Sequence, residues 1–183
     1  MEDYPKLLIP TDKEVFLLND QIIEIPKCLI KFDKWDGKPI KNTFGGKPIV
    51  CFKNKPMFAE LTIMNYFIES GWEARWIEAF GSSNKNPKIL SEWKDASFGN
   101  QVEGLILNKS INSVLEGIAL CNNNSFSGCW DVIGWKGDQI IFAESKRIKK
   151  DRIRQTQNNW LSAGLKFGLK PENFLIVQWD FNK

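Results

Sequence analysis

The residues best placed to do chemistry lie in one stretch, Asp131-Val-Ile-Gly-Trp-Lys-Gly-Asp-Gln-Ile-Ile-Phe-Ala-Glu144-Ser-Lys146. Gly137-Asp138 reads as a two-residue hairpin turn of type II′, because glycine accepts positive φ at the first turn position. Pairing Lys136 with Gln139 then sets Ile133 opposite Phe142 and Asp131 opposite Glu144. Opposed residues share a face, with Cβ atoms about 5 Å apart. Lys146, two residues beyond Glu144, falls on that face too. Two carboxylates held so close repel unless a cation sits between them. A hard divalent ion such as Mg²⁺ takes oxygen ligands and accepts a site of one or two carboxylates plus water. The pattern therefore predicts a metal held beside a lysine.

An acid-x-lysine triplet alone says little. Three occur: Asp36-Gly-Lys38, Glu92-Trp-Lys94 and Glu144-Ser-Lys146. About one is expected by chance at ordinary Glu and Lys usage. Only Glu144 ends an apolar strand, opposes an aspartate across a tight turn and leads into a basic run. Lys146, Arg147, Lys149, Lys150, Arg152 and Arg154 are six positive charges set against Asp151 alone. Such a run attracts a phosphate backbone, and cations at a helix N-terminus oppose the helix dipole. Further along, Ile153, Gln157, Trp160, Leu161, Gly164 and Leu165 form a stripe at helical spacing. Gln157 is its polar member, and a buried amide needs partners. Those partners are either the acids on the strand or a backbone group at the sheet edge.

The chain of 183 residues contains no histidine. That excludes Ser-His-Asp and Cys-His nucleophilic catalysis, HExxH zinc hydrolysis, histidine-ligated zinc deamination and any histidine general base. Carboxylates, lysine, water and a metal remain for hydrolysis. Four cysteines, Cys28, Cys51, Cys121 and Cys129, form no CxxC pair and read as reduced thiols. Net charge is +3 and 43% of residues are hydrophobic, enough for a core but far from a polycation. No apolar run reaches bilayer length and the N-terminus has no signal-peptide pattern, so a cytoplasmic protein without membrane contact is expected.

The elements that must position these residues follow from periodicity. Residues 1–56 read as a β-rich N-terminal extension, with Glu14–Leu18 and Gln21–Ile25 flanking an Asn19-Asp20 turn and further turns at Asp36-Gly37 and Gly45-Gly46. From Met57, Phe58, Leu61, Met64, Tyr66, Phe67 and Ile68 recur at helical spacing until Gly71. Trp72–Phe80 alternates as a strand, and Gly81–Gln101, which is polar, reads as a loop or an irregular insertion. A short helix is expected at Ile111–Leu120, a helix from about Asp151 to Phe167, and a last strand at Phe174–Phe181. Apolar groups on both hairpin faces call for helices above and below the sheet. After a crossover helix, the last strand is expected to run parallel to Ile140–Lys146.

Asp131, Glu144-x-Lys146 and Gln157, in the order hairpin then helix, resemble the PD-(D/E)xK nuclease superfamily, and within it the VRR-NUC and Holliday-junction-resolvase-like branch. Glu60, followed by Met64, Ile68, Gly71 and Arg75, resembles that family's first helix and strand, and the likeness covers roughly residues 57–181. Trp130 stands before Asp131, so there is no literal Pro-Asp pair. The resemblance implies an α/β restriction-endonuclease-like αβββαβ core over residues 57–183, with a central mixed sheet flanked by helices. It implies a Mg²⁺-dependent DNA endonuclease, with Mn²⁺ able to substitute. In that scheme Asp131, Glu144 and Glu60 ligate the metal, Lys146 positions or activates water and Gln157 orients the site. Glu69, Glu73 and Glu78 are rivals to Glu60. Arg147, Lys149, Lys150, Arg152 and Arg154 would contact nucleic acid, and a homodimer would suit two-strand cutting. A non-catalytic nucleic-acid-binding module and an interaction subunit of a larger DNA-processing or defence system are the alternatives.

Overall fold

Strict alternation along the hairpin sends Val132, Ile141 and Ala143 into one apolar core and Ile133, Ile140 and Phe142 into another on the opposite face. A sheet with two apolar faces must be covered twice, and that requirement organises the molecule. The computed structural model describes residues 4–18, 20–79 and 85–182.

Nine strands among the described residues form one sheet: β1 Asp12–Leu18, β2 Gln21–Lys34, β3 Val50–Phe52, β4 Lys55–Met57, β5 Glu73–Glu78, β6 Lys88–Leu90, β7 Val132–Lys136, β8 Gln139–Arg147 and β9 Phe174–Phe181. Their order is β4-β3-β2-β9-β8-β7-β5-β6, with β1 paired to β2. The sheet is mixed: β9 runs parallel to both β8 and β2, and the other pairs are antiparallel. Helix α1, Ala59–Glu69, buries Leu61, Ile63, Met64 and Phe67 on one face. Helices α2, Lys109–Cys121, and α3, Gln155–Phe167, bury Ile111, Leu115, Ile118, Trp160 and Leu161 on the other. None of the helices among the described residues is long and apolar enough to cross a membrane.

The hairpin has the expected register, with Lys136 opposite Gln139 and Ile133 opposite Phe142. Gly137 sits at φ 59° while Asp138 keeps a negative φ, as a type II′ turn requires. The last strand matches its expected span and is parallel to β8. At the N-terminal hairpin Leu18 pairs with Gln21; Asn19 of the expected turn lies outside the described residues.

Two expectations shift. The helix expected from Asp151 begins at Gln155. The Asp151 carboxylate instead accepts the Arg147 backbone N–H at 2.9 Å, Lys149 takes φ 58°, and Arg154 is extended at φ −94° and ψ 156°. The basic run thus begins on the end of β8 with Lys146 and Arg147 and continues as a turn and an extended segment ahead of α3, and the argument from opposed helix dipole does not apply to Lys149, Lys150 or Arg152. The segment expected as a loop or an irregular insertion at 81–101 contains a short strand, β6, which pairs with β5 at Trp76↔Leu90. Phe80 and residues 81–84 lie outside the described residues. Three residues of strand carry too little alternation to stand out in a polar stretch. The buried Gln101 amide anchors the remainder, donating to Lys94 O at 2.7 Å and Ala96 O at 3.0 Å.

Candidate functional site

Asp131 stands immediately before β7 and is fixed from both sides. Its carbonyl accepts the Ile77 N–H of β5 at 2.8 Å, and its carboxylate accepts the Ser145 N–H of β8 at 2.9 Å. The acid therefore spans the two strands that neighbour β7. On β8, alternation places Glu144 and Lys146 toward α3, whereas Ser145 between them points toward the α1 side and accepts the Trp179 indole N–H at 3.0 Å.

Glu144 is 1% exposed and Lys146 is 9% exposed, burial that ionisable groups seldom show without partners. Lys146 Nζ lies 2.8 Å from Glu144 Oε1 and donates to Gln157 Oε1 at 3.0 Å. Gln157 Nε2 donates to the same Glu144 Oε1. Gln157 Oε1 also accepts the Arg154 backbone N–H at 2.9 Å, so one side chain caps α3 and ties its first turn to the acid and the lysine. Of the partners anticipated for this amide, the strand acid is present; the backbone group it meets is the N-terminus of α3 rather than the sheet edge.

Glu144 Oε1 has two donors, but Oε2 has none. Among the described residues it is the only buried carboxylate oxygen without a partner. Leaving such an atom unsatisfied costs about 1–3 kcal/mol, and more for a charged group. Burial pushes the Glu144 carboxyl well above its ordinary range, with nearby Asp131 adding to the effect and Lys146 opposing it. Burial likewise raises Asp131 to about 6, reinforced by Glu60 and offset by Lys47, Lys146 and the Ser145 N–H.

These groups line a cleft of about 730 Å³ that also receives Glu60, from the first turn of α1, and Glu78, from the end of β5. A second cleft of about 430 Å³ adjoins it and shares Glu78, Asp131, Arg154 and Gln157. Asp131, Glu144, Lys146, Gln157 and Glu60 are therefore brought to one place. Glu69 and Glu73 are not: Glu69 pairs with Lys53 at 2.6 Å, and Glu73 accepts the Trp135 indole N–H at 3.0 Å. Of the basic run, Lys150, Arg152 and Arg154 line the cleft. Arg147 lies over the rings of Trp179 and Phe181, its Nε 3.4 Å from Asp180. Lys149 is exposed and does not line the cleft.

Sequence reasoning missed Lys47 and Phe44. Both come from the loop ahead of β3 and close the cleft over Glu60, with Lys47 ion-paired to that acid. Burial disfavours the Lys47 charge, yet Glu60, Asp131 and Glu78 together hold its pKa above the ordinary lysine value. The Gly45-Gly46 turn was the only local sign, and a turn does not reveal what it folds over.

The donor set consists of hard oxygens, which suits Mg²⁺ or Mn²⁺ rather than a thiophilic metal. The described residues contain no group of three acids or cysteines able to hold an ion unaided. Asp131 and the unpartnered Oε2 of Glu144 supply two ligands, a number that a hard cation completes with water. The residues therefore fit such an ion. No family model, no curated protein and no solved structure matches this chain.

Proposed function

We propose that this chain is a metal-dependent nuclease that hydrolyses phosphodiester bonds of DNA, with its centre at Asp131, Glu144 and Lys146. The observation that carries the reading is the unpartnered buried oxygen of Glu144, set between an aspartate, a lysine and a cationic cleft wall. The succession α1, β5, β7, β8, α3 and β9 supports taking this part of the chain as a restriction-endonuclease-like core of the PD-(D/E)xK kind. The strands β1 to β4 then extend that core beyond β9.

In this reading Asp131 and Glu144 would hold a divalent cation, with Glu60 and Glu78 in the same cleft as candidates for a third acid. A cation in this position supplies Lewis-acid neutralisation of phosphoryl charge and lowers the pKa of water. Lys146 keeps an ammonium beside the acids, where it stabilises negative charge as it develops on the attacking oxygen and the phosphoryl group. Gln157 fixes that ammonium and Glu144 in one geometry, so neither has to reorganise during the reaction. Lys150, Arg152 and Arg154 attract the phosphate backbone with an affinity that falls as salt rises. No covalent intermediate is required, and the family likeness implies a 5′-phosphate product.

The test is cleavage of plasmid and linear DNA by purified protein with Mg²⁺ or Mn²⁺. Asp131→Ala and Lys146→Ala should abolish cutting, and full activity in either variant sinks the assignment. A second reading, DNA binding without cleavage, is favoured by the lysines that already neutralise Glu144 and Glu60. Binding that persists in EDTA, with no substrate cut under any metal, would support it instead.

A further inference from the structure

The loop between β2 and β3 is latched over the acid cluster by contacts remote from it. Asp95 accepts the backbone N–H groups of Lys41 at 3.1 Å and Asn42 at 2.8 Å, and the Trp93 indole donates to Asn42 O at 3.2 Å. Phe44 stacks on Phe98 with ring centroids 4.8 Å apart and meets Trp93 at 5.4 Å. Gly45 and Gly46, at φ 76° and 82°, then turn the chain back, and the Lys47 N–H donates to Thr43 O at 3.0 Å. The outcome is one lysine aimed into the cleft. Its ammonium lies 5.7 Å from the Phe44 ring centroid and 5.5 Å from that of Trp76, and it is paired with Glu60. Side-chain exposure is 26% for Lys47 and 12% for Glu60.

A surface lysine needs none of this apparatus. Three acids lie around this ammonium in the cleft, namely Glu60, Asp131 and Glu78; Asp131 belongs to the proposed centre, and the other two are the candidates for its further acid. The aromatic walls hold the stem in place, while the partly exposed ammonium stays in reach of a ligand entering the cleft. Resting on the nuclease reading, the geometry points to Lys47 as a second working cation of the site. Its ammonium neutralises Glu60, and it would be free to bind a phosphate of the nucleic acid if a divalent ion took its place at that acid. Lys47 is thus a substrate-positioning residue contributed from outside the segment that carries the acid-x-lysine pattern.

Such a residue has two opposite effects that a purely structural lysine would lack. Removing its charge should tighten divalent-cation binding, because a competitor for Glu60 is gone, and should weaken DNA. The experiment titrates metal-free protein with Mn²⁺ by calorimetry and measures steady-state cleavage, comparing wild type with Lys47→Met and Lys47→Arg. The Met variant should bind Mn²⁺ roughly tenfold more tightly, as expected for removing one charge near the ion. Its KM for DNA should rise about tenfold with kcat changed far less, the pattern of lost uniform binding. The Arg variant should restore KM. If the Met variant does not fold, Lys47→Gln, which keeps a hydrogen-bond donor for Glu60, replaces it.

Unchanged Mn²⁺ affinity and unchanged KM in the neutral variant overturn the role of Lys47 while leaving the nuclease reading intact. Wild-type protein that binds no Mn²⁺ and cuts no DNA overturns the nuclease reading, and this inference with it.

Discussion

Two triplets of the same pattern meet opposite fates in this fold. In Glu92-Trp-Lys94 the ammonium is 3.4 Å from the carboxylate, and both side chains are more than half exposed, at 53% and 58%. In Glu144-Ser-Lys146 the separation is 2.8 Å, with Lys146 at 11% and Glu144 at 2%. Water solvates the first pair whether or not it forms, so its net worth is about 0–1 kcal/mol. The second pair has exchanged water for each other, Gln157 and little else. Its attraction merely offsets desolvation while both members are present, and the imbalance becomes large when one is removed. An identical local pattern therefore becomes a buried, mutually dependent pair only where the sheet takes its solvent away.

The contrast can be broken most sharply by activity. Lys146→Ala should lower DNA cleavage about 10³-fold, the scale of losing a preorganised charge stabiliser, whereas Lys94→Ala should cut like wild type. A comparable loss in both would remove the distinction. Stability is the next largest test. Lys146→Met leaves Glu144 buried without its cation and should cost about 3 kcal/mol or more in urea unfolding, against about 0.5 kcal/mol or less for Lys94→Met. Divalent metal should sharpen the difference further. Mn²⁺ at 100 times its dissociation constant should stabilise wild type by about 2.7 kcal/mol, and the gain should vanish with EDTA or in Glu144→Gln but survive in Glu92→Gln.

The smallest effect is on pH. Asp131 is raised by burial to about 6, from 3.8. Folded protein therefore binds this proton more tightly than unfolded protein. That contribution to stability is present below about pH 4 and is lost as pH rises through about 6. The sign is opposite to that of an acid in a favourable surface pair. Denaturant midpoints measured between pH 4 and 7 without metal should fall more steeply for wild type than for Asp131→Asn. Mn²⁺ affinity should rise over the same interval, because the proton competes with the ion for Asp131.

Much of this site was legible because its determinants are local. Period-two alternation and one glycine-led turn set the register as far as Val132 opposite Ala143, which brings Asp131 and Glu144 to the same end of the hairpin, and the stripe containing Gln157 tells which side of α3 faces the strand. Lys47 was not legible, because a loop clamped by Asp95, Trp93 and Phe98 delivers it across the fold, and no spacing in the chain encodes those contacts. Arg147 misled for a related reason. Charge alone counts it with the basic run, but strand alternation after Lys146 turns it to the far face, where Trp179 and Phe181 receive its guanidinium. The start of α3 was misplaced because Asp151 spends its carboxylate on the Arg147 N–H, closing a turn that composition cannot reveal.

The place of β8 within the sheet has a bearing on how the molecule breathes. Gln139–Ala143 pair with β7 and Phe142–Arg147 pair with β9, while β1 and β6 lie at the margins of the sheet. Opening in folded proteins begins where few partners must be surrendered and reaches central strands only near global unfolding. The backbone bearing Glu144 and Lys146 runs on past the end of β7, so β9 on one side and the Asp131 carboxylate on the Ser145 N–H are what hold it closed to solvent.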